Sequence, residues 1–206
     1  MNLKKLKKAE KTFLRRYPGG FNNPEMIEIK KKHKIEKMMT LTQESFAREN
    51  FLATETILEN MVKIINRSSM VSMFEKPKFR DFVNSLFSHD KELLVSGLEQ
   101  QLYGDEKKGF EIILDILKSG KLAKWSLITI CPNYFNPSMD VFVKPTTTKG
   151  VIEYFELKSL QYKPLPSWAF YEEYRSIINE MKTHVEPSLS QFNTSFSGFL
   201  MMSLPS

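Results

Sequence analysis

The chain has 206 residues, of which 41% are hydrophobic and 26% charged, a balance that excludes a wholly disordered protein and suffices for one sizeable core. The formal net charge is +6, but residues 1–39 carry twelve Lys and Arg against four acids, so the remainder sums to −2. A single cysteine, Cys131, excludes an internal disulfide framework and suits a reducing cytoplasm.

The basic N-terminus is not followed by a continuous apolar region or a small-residue cleavage site, so no targeting segment is expected. Leu3, Leu6, Phe13, Leu14 and Tyr17 fall near one helical face, with cations filling the rest. Pro18-Gly19-Gly20 ends that helix, and Asn23-Pro24 starts another, with Asn as N-cap and Pro at the first position. A charged segment holding Ile27, Ile35, Met38, Met39 and Leu41 reads as one or two helices. Helices are predicted over 51–65, from Pro77 with Phe79, Phe82, Val83 and Leu86 inward, over 90–103 and over 105–118. Gly104 and Gly120 are expected to stop the last two in the left-handed conformation.

After Gly120 the pattern changes. Residues 125–131 (WSLITIC) form a continuous run without charge, rich in β-branched residues, and Pro132-Asn133 bounds it, so a buried strand is predicted. A second strand is expected over 139–143 and a last one over 196–204, with a long helix over 167–185 between them. The last twenty residues carry no charge, yet polar residues interrupt them too often for a bilayer helix. The expected fold is therefore α+β and predominantly helical: an N-terminal helical half packed with a small C-terminal sheet and a long helix. It is read as a single domain over 1–206, with a sub-boundary near 120 and neither half expected to fold alone.

Residues 140–158 carry the most specific chemistry and support two readings. With 151–158 as a strand, Glu156 and Lys158 share one face, and Asp140 lies a hairpin away. The order helix, strand, strand, strand, helix, strand over 105–204 resembles the core of the PD-(D/E)xK nucleases. That resemblance implies a catalytic set of Asp140, Glu156 and Lys158, with Mg²⁺ on the two carboxylates and Glu111 or Asp115 as a further acid. The sequence departs from the family in having Met139, not proline, before Asp140.

With a helix starting near Thr147 or Thr148 as N-cap, Val151, Ile152 and Phe155 point inward. Lys144, Thr147, Thr148 and Lys149 then surround a helix N-terminus, where free N–H groups favour an anion such as phosphate. The P-loop glycines are absent. Lys124-Trp125, Phe142-Val143-Lys144-Pro145-Thr146-Thr147-Thr148-Lys149, Tyr162, Trp168 and Tyr171 are similar to a pattern in an uncharacterised bacterial protein family of comparable length. The similarity covers roughly 120–205 and implies a helix after Thr-Lys, no fixed acid at the position of Asp140, and no known activity. Ser126 stands where that family favours proline.

Other constellations are weaker. His33, His89 and His184 have no partner at metal-ligand spacing, Cys131 reads as a small buried hydrophobe, and no serine lies in a nucleophile-elbow context. Lys4, Lys5, Lys7, Lys8, Lys11, Arg15, Arg16, Lys30, Lys31 and Lys32 read as a solvated face, a nucleic-acid footprint or a membrane-surface helix. Trp168, Phe170, Tyr171 and Tyr174 near Lys163 either stack bases or pack inward. The leading reading is a non-catalytic cytoplasmic binding protein for nucleic acid or another polyanion, without a cofactor. The alternatives are the Mg²⁺-dependent nuclease and a protein-interaction domain with no nucleic-acid role.

Overall fold

Short polar side chains start several of the helices. Asn2 Oδ1 accepts from Lys5 N at 3.1 Å, Asn23 Oδ1 from Glu25 N at 3.0 Å and Asp105 Oδ1 from Lys108 N at 3.0 Å, each satisfying an orphan first-turn donor. The computed structural model describes residues 1–205. In chain order the helices are α1 (Leu3–Arg16), α2 (Pro24–Lys32), α3 (Ile35–Ser45), α4 (Thr54–Arg67), α5 (Glu75–Ser85), α6 (Ser88–Tyr103) and α7 (Glu106–Ser119). They continue as α8 (Trp125–Phe135), α9 (Pro145–Tyr154), α10 (Trp168–Thr183), α11 (Pro187–Ser190) and α12 (Asn193–Met202), with single 3₁₀ segments at Gly20–Asn22 and Arg48–Leu52. No residue among those described is in a strand. The expected α+β class is thereby corrected: the fold is all helical and has no C-terminal sheet.

The correction turns on α8. Residues 125–131 are buried on every side, with Ser126 and Thr129 among apolar residues, because α8 is the central helix, packed against α3, α4, α6 and α7. Every residue from Trp125 to Tyr134 is buried. A helix buried all round has no polar stripe, so its sequence is hard to tell from that of a buried strand. Pro132, which suggested a terminator, lies inside the helix. Each fully buried Leu or Ile in it contributes about 1.5–3 kcal/mol by transfer alone.

Around this centre, α6 and α7 form a close hairpin. A side chain on Gly109 would strike the Gln101 nitrogen and the Gly97 carbonyl, so glycine sets their separation. Gly120 is not left-handed; Lys121, at φ 56°, takes that conformation, and Leu122 N closes on Leu117 O at 2.8 Å. Gly120 instead admits the Phe82 ring from α5.

A second layer joins the two ends of the chain. Phe13 of α1 meets Phe199 of α12 edge-on at 5.3 Å, Asn2 N donates to Phe155 O at 2.8 Å, and Glu186 N to Glu10 Oε1 at 2.6 Å. The strand expected at 196–204 is α12, whose buried Phe196, Phe199 and Leu200 keep helical spacing.

The strand expected at 139–143 does not form: Met139 lies in a turn in which Asp140 N donates to Asn136 O at 2.9 Å, residues 140–143 have no regular structure, and side chains satisfy their backbone. Thr129 Oγ1 accepts from Val143 N at 3.1 Å, Asn193 Nδ2 donates to Asp140 O at 3.1 Å, Asn179 Nδ2 to Met139 O at 2.8 Å and Lys182 Nζ to Ser138 O at 2.6 Å. No described helix is long and apolar enough to cross a membrane.

Candidate functional site

Lys144 follows residues 140–143 at φ −101° and ψ 117°, the geometry a residue before proline prefers. Pro145 then occupies the first turn of α9. The helix therefore begins before Thr147 and Thr148, and neither caps it, contrary to expectation. Thr148 N already donates to Lys144 O at 2.8 Å. Thr148 is buried, with no well-formed hydrogen bond to its hydroxyl. Burial pushes the neighbouring Tyr174 phenol up to about 12, and Thr148 offsets part of that rise.

The first turn of α9 opens on a recess of about 610 Å³. Lys124, Lys144 and Lys149 line it, with Phe142, Thr146 and Tyr162 between them, and Lys149 Nζ sits 5.6 Å from the Tyr162 ring centre. The one carboxylate there, Glu75, accepts from Ser126 Oγ at 2.6 Å. Beyond Lys144 lies an apolar cavity of about 220 Å³, walled by Met26, Phe142, Val151, Tyr174 and Leu200 and also touched by Thr147, Lys30 and His33. Lys30 and Ile35 continue it into a third recess of about 590 Å³, lined by Lys31, Lys34 and Lys37 with Glu36. Three openings thus follow one another, joined at Lys144 and at Lys30.

The residues of the nuclease resemblance are not brought together. Residues 151–158 finish α9 and turn, so Glu156 and Lys158 do not share a strand face. Glu156, at φ 56°, is the left-handed cap of α9, with Glu156 N on Glu153 O at 3.3 Å and Leu157 N on Ile152 O at 2.9 Å. Its exposed carboxylate bonds Lys5 Nζ at 2.9 Å, and that bond lowers its pKa. Lys158 is exposed beside it.

Asp140 instead sits in a buried cluster with α7 and α10. It accepts from Tyr171 Oη at 3.0 Å and Arg175 Nη1 at 2.8 Å, while Arg175 also reaches Glu106 Oε2 at 2.6 Å. Burial pushes the Asp140 carboxyl up from its ordinary range, and Arg175 and Tyr171 hold it back. Burial works against the Arg175 charge, but Asp140, Tyr171 and Glu106 outweigh it and raise its pKa further.

Among the described residues no three of His, Cys, Asp and Glu are grouped to hold a metal ion. Glu111 and Asp115 lie on α7, with Asp115 paired to Lys118 at 2.9 Å. Cys131 is buried, which pushes its thiol up to about 12 and leaves no thiolate near neutral pH.

The N-terminal cations divide. Lys4, Lys7, Lys8, Lys11, Arg15 and Arg16 lie on the exposed face of α1, Lys7 paired with Glu10 at 2.9 Å, whereas Lys5 is held by Glu156. Lys30 and Lys31 line the third recess, and Lys32 is exposed on α2. Phe170, Tyr171 and Tyr174 are core residues, and Trp168 is half-covered by Phe110 and Arg175. Lys34, Lys37 and Arg175 were not singled out in the sequence as site residues; only the turn after α2 and the helical spacing of Tyr171 to Arg175 could have pointed to them. Comparison with protein-family models, curated proteins and solved structures finds no match to this chain.

Proposed function

We propose that the protein is a non-catalytic binding protein whose lysine-lined recesses follow the phosphate backbone of a single-stranded nucleic acid. One observation carries this reading. Lys124, Trp125, Phe142, Lys144, Pro145, Lys149 and Tyr162, part of the set that resembles the bacterial pattern, are spread over about forty positions yet line one recess. Three lysines there outnumber one carboxylate that is already bonded to Ser126. Two of the three, Lys144 and Lys149, flank the first turn of α9, and in this reading they hold a phosphate there with the free N–H groups of the helix. Continuation through Lys30 to Lys31, Lys34 and Lys37 extends the positive path beyond the reach of a single phosphate. A cationic groove with an aromatic side chain between its lysines is the usual composition of a sequence-tolerant single-strand site.

The test is fluorescence anisotropy with labelled single-stranded DNA and RNA over a series of salt concentrations, with EDTA present. Binding should survive EDTA and weaken steeply with salt, and Lys144→Glu with Lys149→Glu should weaken it at least tenfold at constant fold. Failure to bind at low salt, or charge reversal without effect, overturns the proposal. Strand cleavage that requires Mg²⁺ and is lost in Asp140→Ala would favour the nuclease alternative instead.

A further inference from the structure

The cavity between the two lysine-lined recesses has a composition that a phosphate backbone does not need. Its wall is apolar: Met26, Ile35, Phe142, Val151 and Leu200 are all buried. No carboxylate lines it, while Lys30, His33 and Lys144 do. Lys144 forms no salt bridge among the described residues, and Lys30 reaches Glu36 only at 3.9 Å. His33 is engaged through Nδ1 with Ser69 Oγ at 2.9 Å, which fixes its ring at the edge of the cavity.

We infer that this cavity takes a small anionic amphiphile, a straight apolar chain with one anionic head, of which a medium-chain carboxylate is the simplest member. Size and charge both support it. A volume of about 220 Å³ accommodates about seven groups of roughly 30 Å³, the volume of one water and close to that of one methylene. Methylenes that enter it leave contact with water, which favours an apolar chain as the guest. Met26, Met70, Met201 and Met202 lie around it, and their unbranched side chains adapt to a flexible guest. The head then rests at the rim beside Lys144, where a neutral head would leave the ammonium unmatched.

The inference does not depend on nucleic-acid binding and is tested without any nucleic acid. Octanoate, butyrate and octanol are titrated into the full chain by calorimetry, with thermal melting in parallel. Octanoate should bind at one site and raise the melting temperature, whereas butyrate and octanol should bind at least tenfold more weakly. Lys144→Ala should weaken octanoate at least fivefold and leave octanol unchanged. Ile29, which is 42% exposed and lines the cavity, allows it to be blocked without touching the core. Ile29→Trp should abolish octanoate binding with the circular dichroism spectrum retained. Octanol binding as tightly as octanoate, or octanoate binding undiminished in Ile29→Trp, would overturn the assignment.

Discussion

Asp140 shows how one residue type serves different chemistry in different surroundings. Its position before a lysine-rich segment suggested a metal ligand, but its carboxylate is spent on Arg175 and Tyr171, and its carbonyl on Asn193. Removing Arg175 leaves the buried Asp140 carboxylate with the Tyr171 hydroxyl but without a compensating charge. Arg175→Met is expected to cost about 3–5 kcal/mol in urea unfolding, and Asp140→Asn added to it should recover part of that loss. The same carboxyl sets a pH dependence. Its pKa in the fold is raised above the ordinary 3.8, so the folded state holds the proton more tightly than the unfolded chain does. Its contribution to stability is then full below the unfolded value, declines as pH rises through the folded value, and is level above it. The stability deficit of Asp140→Asn should accordingly be largest at the acid end and shrink as pH rises, which unfolding curves across that range will show.

At the scale of elements, the helices of the first half were legible because each has one wet side. In α1, Leu6, Ala9 and Phe13 are buried among exposed lysines, and in α4, Ile57, Leu58, Met61, Ile64 and Ile65 form the inner face. α8 offered no such contrast. It also supports the 140–143 segment, because Thr129 Oγ1 donates to Trp125 O at 2.7 Å and accepts from Val143 N. Thr129→Val keeps the volume but leaves the buried Val143 N–H without a partner. A loss of about 1–3 kcal/mol is expected, with faster amide exchange at Val143 as the local signature. Unchanged exchange there would mean that another group holds the segment. α12 was misread for a different reason: Phe, Ser and Gly weigh against a helix locally, and only the spacing of Phe196, Phe199 and Leu200 argues for one.

For the whole molecule, the distribution of charge matters more than its total. The excess of cations in residues 1–39 is split between the solvated face of α1 and the recess that Lys30, Lys31, Lys34 and Lys37 share. Lys124, Lys144 and Lys149 come from the part of the chain whose net charge is negative, and the fold gathers them beside the first group. If each lysine of the path neutralises one phosphate, each charge removed should lower the salt slope of single-strand binding by about 0.7. Lys8→Ala on α1 should leave that slope unchanged, and a change equal to that of Lys144→Ala would place the footprint on α1 instead.

Composition, helix-start residues and apolar spacing by themselves determined that the chain has a core, where α1, α4, α6, α7 and α10 begin and end to within a few residues, and that Lys144–Lys149 opens a chemically distinctive segment. Those properties depend on neighbours along the chain, so they can be read there. The tertiary structure alone decided that 125–131 is a central helix, that 139–143 forms no strand, and that Asp140 and Glu156 bind different cations. Each of these depends on what surrounds a residue from other elements: burial on all sides removes the pattern that distinguishes helix from strand, and side chains from α8, α10 and α12 satisfy a backbone that would otherwise require a neighbouring strand.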